Sequence, residues 1–454
     1  MFANANDNGN ANRNVAANPW YGIRDSLLNH HTAKCGLNHK QKKEMLSILN
    51  NDEIKTQVDA VGHDCYSYQL PDFTNANNLY SAYLKARKSS AWKRQVQMVE
   101  HEYLLTIAEL QTELVNGTYK TQKGRTFEIR ERGKTRVIRS NTFRDRIVRR
   151  ALCDQVLNPA LQKYLIYDNG ASIKGKGISF TRRRFEEHIH KFYRKHGNHG
   201  YILLMDFSKY YDNIRHDKVM EQVAKHIHDK PTLDLLREIL KAFEVDVSFL
   251  SDEQFKHCLE YRFNAKKYWQ LPHDCFTGEK MMAKSLGIGD QVSQILSVFF
   301  PTRIDNFVKI RLGEKYYDRY MDDAALISDS KEHLWQVLDQ IKQICSELGI
   351  FINEKKTHIM RLDKGFTWLQ TRYRLTDSGH LIKRINPKRI TAERRRLNKL
   401  VYKVPKEDFE QQYRSWMQNY KRLLSPRTRR NLDELYRRLL CKYDVRQETA
   451  NKSE

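Results

Sequence analysis

The chain has 454 residues, enough for two or three subdomains around sizeable cores. Its 80 Lys and Arg against 55 Asp and Glu leave a net charge of +25, beyond what solubility needs, so a polyanion, by default nucleic acid, is the expected partner. The mean hydropathy is −0.75 and no apolar run approaches the roughly 20 residues that span a bilayer, which argues against a membrane protein; seven cysteines without a CxxC pair fit a reduced, cytoplasmic chain rather than a disulfide scaffold.

Residues 1–20 are rich in Asn and Ala, lack the charged and apolar regions of a secretory signal, and predict a disordered arm. Residues 21–74 follow as an N-terminal extension with no clear element. Residues 75–116 predict two helices, the second with Tyr103, Ile107, Leu110 and Leu114 on one face and a stop at Asn116-Gly117. "TFEIRERGKTRVIRS" (126–140) reads as a β-hairpin with Gly133 in its turn, a basic flap. Residues 143–165 are expected to be helical. "GYILLMDFSKYYD" (200–212) opens as a strand whose continuous apolar run implies burial on both faces, and it ends at Asp206.

A long mixed segment, 217–285, is helical at first. Within it His257, Cys258, His273 and Cys275 fit no common zinc spacing. A glycine-bearing loop then enters a helix at 285–301. "EKYYDRYMDDAALIS" (314–328) reads as two strands meeting at Met321-Asp322. Residues 331–349 form an amphipathic helix ended by Gly349. "IFINEKKTHIM" (350–360) is predicted to return as a strand and "FTWLQTRYRLT" (366–376) as another. From about 385 the chain is basic and helical, with breaks at Pro405 and Pro426.

Adjacent aspartates at 322 and 323 repel each other. A solvated turn also uses Asp, so the pair means little alone. If the strand ending at Asp206 neighbours the hairpin, two or three carboxylates converge at one sheet edge. Hard oxygen ligands of that kind suit Mg²⁺ shared with substrate phosphates. Two such ions, roughly 3.5–4 Å apart, clamp the attacking and leaving oxygens of an in-line phosphoryl displacement.

"YMDD" at 320–323 resembles the catalytic hairpin of reverse transcriptases, and other blocks follow in that family's order. "GKTRVIRSNTFRDRIVRRAL" (133–152) resembles the fingers block, and "NGASIKGKGI" (169–178) takes the place of the next. "LLMDFSKYYDNIRHD" (203–217) resembles the first catalytic block and "GIGDQVSQILSVFF" (287–300) the second. "LGIFINEKKT" (348–357) resembles the motif after the hairpin, and "FTWLQTRYRLT" the grip hairpin. The likeness covers roughly residues 75–440 and is nearest the bacterial lineages: group II intron-like, diversity-generating and phage-defence-associated. It implies an α+β right hand: fingers at 75–200, a palm with an antiparallel sheet at 201–384 carrying an insert at about 217–285, and a helical thumb and tail at 385–454.

The resemblance also implies roles. Asp206 and Asp322 hold two Mg²⁺ ions, with Mn²⁺ able to stand in, and the Phe207 carbonyl is a further ligand. Asp323 stands behind them or binds one ion. Tyr211, five residues after Asp206, lies beneath the incoming sugar and excludes a 2′-hydroxyl. Arg130, Lys134 and Arg136 lie on the flap, and Arg136 best matches the residue that grips the triphosphate, a task suited to its bidentate fork. Lys356 matches a lysine that protonates departing pyrophosphate, with Lys355 as the competing assignment. Gly289 lets the backbone approach the template–nucleotide pair. Where the family often has Leu-Pro-Gln-Gly, this chain has Leu286-Gly287-Ile288-Gly289; Ile288 replaces the glutamine and Gln291 is the nearest substitute. Arg144, Lys174 and Lys176, then Arg394, Arg395, Arg427 and Arg429 of the thumb, are expected on nucleic-acid phosphates.

About 65 residues follow "RINPK" (384–388), too few for a thumb plus an RNase H or endonuclease domain of roughly 100 residues. The Asn-Ala-x-x-His and Val-Thr-Gly hallmarks of retrons are absent, "FNAKKYW" (263–269) being a poor match. The expectation is an RNA-directed DNA polymerase that takes dNTPs, an RNA template and its DNA product, working on a dedicated structured RNA in bacterial antiviral defence. The extension and insert are expected to serve that RNA or homo-oligomerisation. The alternatives are a diversity-generating mutagenic enzyme and a non-catalytic RNA-binding scaffold, the latter opposed by the intact Asp206, Asp322 and Asp323. An RNA-dependent RNA polymerase is disfavoured by Tyr211.

Overall fold

A computed structural model describes residues 73–451 apart from 89, 123, 132, 133 and 265–270. The arm at 1–20, all but the last two residues of the extension at 21–74, and Gly133 lie outside the described residues.

The chain enters through α1 (Ala76–Arg87), α2 (Arg94–His101) and α3 (Tyr103–Val115). Two helices were expected and three form. Glu102 leaves helical geometry at φ −128°, ψ 33°. This turn brings Tyr103 onto Tyr83 of α1, with ring centroids 5.3 Å apart. Ile107 and Leu110 are buried, as their spacing requires. β1 (Arg125–Glu131) and β2 (Lys134–Ser140) pair antiparallel, Ile129 opposite Arg136, as the predicted hairpin. Thr142 caps α4 (Phe143–Leu152), which runs on through a π turn at Cys153–Leu157 to Leu161.

The central part comprises α5 (Ile178–His196), β3 (Tyr201–Asp206), and the insert elements α6 (His216–Ala224), α7 (Lys230–Lys241), β4 (Val245–Asp246), α8 (Asp252–Glu260) and β5 (Met281–Met282). Then come α9 (Gln291–Phe299), α10 (Thr302–Asn306), β6 (Tyr317–Tyr320), β7 (Asp323–Ser328), α11 (Lys331–Leu348) and β8 (His358–Arg361). One antiparallel sheet runs β6-β7-β3-β8. Its central strand β3 is buried on both faces. Ile202 and Leu204 join a core with Phe185, Phe192, Trp368 and Tyr373. The intervening Leu203 and Met205 are equally buried and by strand alternation face the opposite side. Gly349, at φ 70°, ends α11 as expected, and its N–H bonds back to Ser346.

Two strand expectations change. "IFINEKKTHIM" is not one strand: Asn353 accepts from the N–H groups of Lys356 and Thr357, so "NEKKT" is a turn and β8 starts only at His358. "FTWLQTRYRLT" is two strands, β9 (Phe366–Trp368) and β10 (Thr371–Leu375), joined at Leu369-Gln370, both with positive φ, the geometry of a tight hairpin turn. β11 (Leu381–Ile385) completes this second sheet.

The insert has its own small core of Val247, Leu250, Phe263 and Met282. It is tied down by Lys284, fully buried, whose ammonium donates to the carbonyls of Cys258 (3.0 Å), Leu259 (3.3 Å) and Tyr261 (2.6 Å) at the end of α8. Burial pushes its pKa down to about 8. A lysine depressed on folding holds its proton more tightly when unfolded. Between about pH 8 and the ordinary lysine value near 10.4, stability therefore rises with pH. The expected result is that Lys284→Met flattens the stability–pH slope in that window, read by denaturant titrations at several pH values; an unchanged slope contradicts it.

The C-terminal part is helical: α12 (Pro387–Leu400), α13 (Lys406–Tyr420) and α14 (Pro426–Asn451), packed around Leu397, Val401, Phe409, Tyr413 and Leu439. Pro405 and Pro426 stand at helix starts, where a missing N–H is tolerated. Among the described residues no helix is long and apolar enough to cross a membrane.

Candidate active site

The register of the central sheet sets Asp206, the last residue of β3, opposite Asp323, the first residue of β7. Asp323 also pairs with Tyr320 across the Met321-Asp322 turn. The three predicted aspartates therefore share one end of one sheet. Met321 holds φ +56°, a left-handed conformation that costs free energy for any residue but glycine.

Beyond Asp206 the strand continues as a single bridge, Phe207 to Ile352. Its bonds run from Asn353 N–H to the Asp206 carbonyl (2.8 Å) and from Ser208 N–H to the Phe351 carbonyl (2.6 Å). Those groups face residues 351–353. By alternation the Phe207 carbonyl faces the other edge, on the side of β7 and the turn.

Asp206 is 7% exposed. Its Oδ2 accepts from Asn353 Nδ2 at 2.9 Å and from Lys356 Nζ at 2.7 Å. Lys355 and Lys356 are both exposed on the same turn, and Lys356 is the one bonded to Asp206. Asp322 and Asp323 are partly buried.

Tyr211 sits on a single helical turn, Tyr210–Asn213, entered through Lys209 at φ +45°. Its hydroxyl accepts from Ser297 Oγ of α9 at 2.8 Å. Burial pushes the phenol pKa up; the Ser297 bond and the guanidinium of Arg136 oppose this, and Asp322 reinforces it. The flap arginine and the hairpin aspartate therefore both act electrostatically on Tyr211. Arg136 is exposed on β2. The backbone of the flap docks on the glycine loop: Arg139 N–H donates to the Ile288 carbonyl at 3.3 Å. Gly289 holds φ +102°, and a Cβ there would lie 3.2 Å from Ile138 Cγ2. Arg130 and Lys134 lie on β1 and β2, but their side chains fall outside the described residues.

Other predicted residues are placed differently. Gln291 opens α9 and lies with its Oε1 3.5 Å from Arg150 Nη1 of α4. Arg144 pairs with Glu113 and lies 5.6 Å over the Tyr119 ring, so its charge is used within the protein. Lys176 donates to the Tyr167 carbonyl at 2.6 Å between the rings of Tyr167 and Phe180, closing its own loop. Lys174 is exposed, as are Arg394 and Arg395 on α12 and Arg427 and Arg429 on α14. Arg429 Nε comes within 3.9 Å of Asp433.

Composition of the donor set tests the site for a divalent ion. Asp206, Asp322, Asp323 and the Phe207 carbonyl are all hard oxygens, which fits Mg²⁺ or Mn²⁺. Among the described residues the His, Cys, Asp and Glu side chains whose ligand atoms lie within 4.8 Å of one another are Asp168, His188 and Asp318, all buried. Asp168 takes Arg184 Nε and Lys309 Nζ, each at 2.8 Å, and Arg184 Nη2 lies 3.3 Å from His188 Nε2, while the buried Asp318 Oδ1 has no hydrogen-bond partner among the described residues. Arg184 also pairs with Glu187, and His188 Nδ1 lies 2.7 Å from Asp318, so the cluster ties β6 to α5. His257, Cys258, His273 and Cys275 form no such group among the described residues.

Sequence reasoning missed Asn353, Ser297 and the fully buried pair Asp305–Arg319. Only Arg319 left a trace: a charged residue between the tyrosines of the strand YDRY.

A family model described as reverse transcriptase (RNA-dependent DNA polymerase) matches residues 121–373. No curated protein matches the chain. Among solved structures, telomerase from Candida albicans in complex with a fragment of telomeric RNA aligns at a TM-score of 0.40 and 12% identity, over 59% of this chain and 46% of that one. Apo telomerase from Candida tropicalis aligns at 0.36 and 16%, over 56% and 47%. Its form truncated of the C-terminal domain aligns at 0.37 and 14%, over 57% and 54%. The chain spans about half the length of these telomerases.

Proposed function

The chain belongs to the reverse transcriptase family of RNA-directed DNA polymerases, with the α+β right-hand fold, and from that premise we propose that it extends a 3′ end with dNTPs on an RNA template. The observation that carries this reading is the register that puts Asp206 opposite Asp323 beside the Met321-Asp322 turn.

Asp206 and Asp322, with Asp323 and the Phe207 carbonyl, would hold two Mg²⁺ ions. Such a pair supplies charge stabilisation for the attacking and leaving oxygens of phosphoryl transfer. The protein's own groups do the rest. Tyr211, its hydroxyl fixed by Ser297, stands where a 2′-hydroxyl would collide with its ring. Arg136, which acts on the same tyrosine, grips the triphosphate. Lys356, whose ammonium lies 2.7 Å from Asp206, would be the proton donor to departing pyrophosphate. Gly289 keeps the loop under the flap free of a side chain. The exposed Arg394, Arg395, Arg427 and Arg429 follow phosphates of the duplex.

The template we propose is a dedicated structured RNA, in the setting of bacterial antiviral defence. The motif blocks resemble those lineages, and the insert with its own core supplies surface beyond the catalytic sheet. A diversity-generating role is the second reading, favoured by Ile288 in place of the family's glutamine. The test is to purify the protein with its bound RNA, add Mg²⁺ and labelled dNTPs or NTPs, and sequence both RNA and product. DNA complementary to one RNA is expected. Incorporation of NTPs alone contradicts the reading, and DNA with dense errors selects the second.

A further inference from the structure

The turn that carries Asp322 is held from below by a residue with no assigned role. Arg319 lies in β6 and is fully buried. Its Nε is 2.8 Å from both oxygens of Asp305 on α10, and its Nη2 is 2.7 Å from Asp305 Oδ2. The same Nη2 donates to the Val298 carbonyl of α9 at 2.8 Å, and Nη1 donates to the Met321 carbonyl at 2.9 Å. Tyr317, two residues back on the same face of β6, donates its hydroxyl to Asp305 Oδ1 at 2.9 Å. One planar guanidinium thus joins two helices to the peptide between Met321 and Asp322.

A buried ion pair is an inefficient way to fill a core, since apolar residues of similar volume commonly do as well or better. What Arg supplies here and an apolar residue cannot is direction: a rigid fork serving three acceptors at once. The acceptor that matters is the carbonyl of Met321, the residue held at φ +56°. A left-handed non-glycine turn persists only where its surroundings over-determine it. On the other face of β6, Asp318 is bonded to His188 of α5, so the strand cannot slide to relieve the turn.

We infer that Arg319, oriented by Asp305, is the positioning residue that holds the Met321-Asp322 turn in its left-handed form and thereby sets where the Asp322 carboxylate stands. The inference rests on the reading of Asp322 as an ion-binding carboxylate and adds what places it.

The experiment compares full-length wild type, Arg319→Lys, Arg319→Lys with Met321→Gly, and Asp322→Asn. Each is measured for thermal melting, affinity for an RNA–DNA duplex, kcat, dNTP KM and the Mg²⁺ concentration for half-maximal extension. Lysine keeps the charge and three donors but not the planar fork that spans Asp305, Val298 and Met321 at once. The expected result is a fall of about 10²-fold in kcat with a raised Mg²⁺ requirement, while duplex affinity stays as in wild type. Glycine accepts positive φ without strain, so Met321→Gly should restore about tenfold of the lost kcat. A purely structural arginine would lower the melting temperature without changing the Mg²⁺ requirement of the folded fraction, and glycine would restore nothing; that result overturns the inference. Asp322→Asn separates the two claims. If it is inactive while Arg319→Lys matches wild type, only the positioning role fails; if it matches wild type, the ion-binding reading fails. Should Arg319→Lys not fold, Asp305→Asn, close to isosteric, carries the same expectations.

Discussion

Asp322→Ala is expected to reduce dNTP incorporation by at least about 10³-fold. The argument is electrostatic. Ion-mediated stabilisation of a phosphoryl transition state supplies several kcal/mol, and each 1.36 kcal/mol is tenfold in rate. Losing one carboxylate from a turn that cannot shift to compensate removes most of it. RNA affinity should be unchanged or slightly stronger, since the substitution deletes a negative charge and leaves the exposed arginines of α12 and α14 in place. Asp206→Ala should be equally inactive and also less stable, because Lys356 Nζ and Asn353 Nδ2 lose their shared acceptor. Primer extension, duplex binding and melting on the same preparations check all three statements. An Asp322→Ala protein that retained a tenth of wild-type activity would contradict the assignment.

Tyr211→Ala is expected to lower discrimination against ribonucleotides by about 10²-fold, the range over which a pocket's shape separates near-identical substrates. The ring is held at its edge by Ser297 Oγ and at its backbone by Leu286 N–H, which donates to the Tyr211 carbonyl at 2.8 Å. It therefore has little freedom to swing from a 2′-hydroxyl. Ser297→Ala, which frees the hydroxyl but keeps the ring, should have a much smaller effect. The measurement is the ratio of kcat/KM for dNTP and NTP of one base. Unchanged ratios in Tyr211→Ala would remove this residue from sugar selection and reopen the question of product type.

The parts of the fold that were readable from sequence are those in which local pattern and tertiary structure agree. The apolar run before Asp206 had to be a doubly buried strand, and β3 is the inner strand of its sheet. Gly349 and Pro426 fall where a left-handed cap and a helix start require them. The break at Glu102 was not readable, because it accompanies a contact of Tyr103 with Tyr83 of a different helix, which local pattern does not report. The strand expected over 350–360 failed at "NEKKT", where Asn353 turns the chain to reach Asp206.

The same division runs through the candidate site. Asp206 and Asp323 meet beside Asp322 because the sheet register puts them there, Lys356 reaches Asp206 from the turn at Asn353, and Tyr211 is set by its own helical turn and by Ser297. Lone cations were harder to read. Arg144 and Lys176 carry the right charge for a phosphate, and in the structure Arg144 pairs with Glu113 and Lys176 donates to the Tyr167 carbonyl. Nothing in a single sequence tells a paired arginine from an available one. Arg319 could have been suspected as a charge in a buried strand, yet its partner Asp305 lies on a separate helix and only the packed structure brings them together.

The most direct measurement is extension of a labelled DNA primer on an RNA template of known sequence, with Mg²⁺ and all four dNTPs, by wild type and Asp322→Ala side by side. The account predicts DNA complementary to the template from wild type, none without Mg²⁺, and none from the variant. Folded wild-type protein that binds the RNA–DNA duplex but makes no DNA, or an Asp322→Ala variant that makes it as well as wild type does, would contradict it.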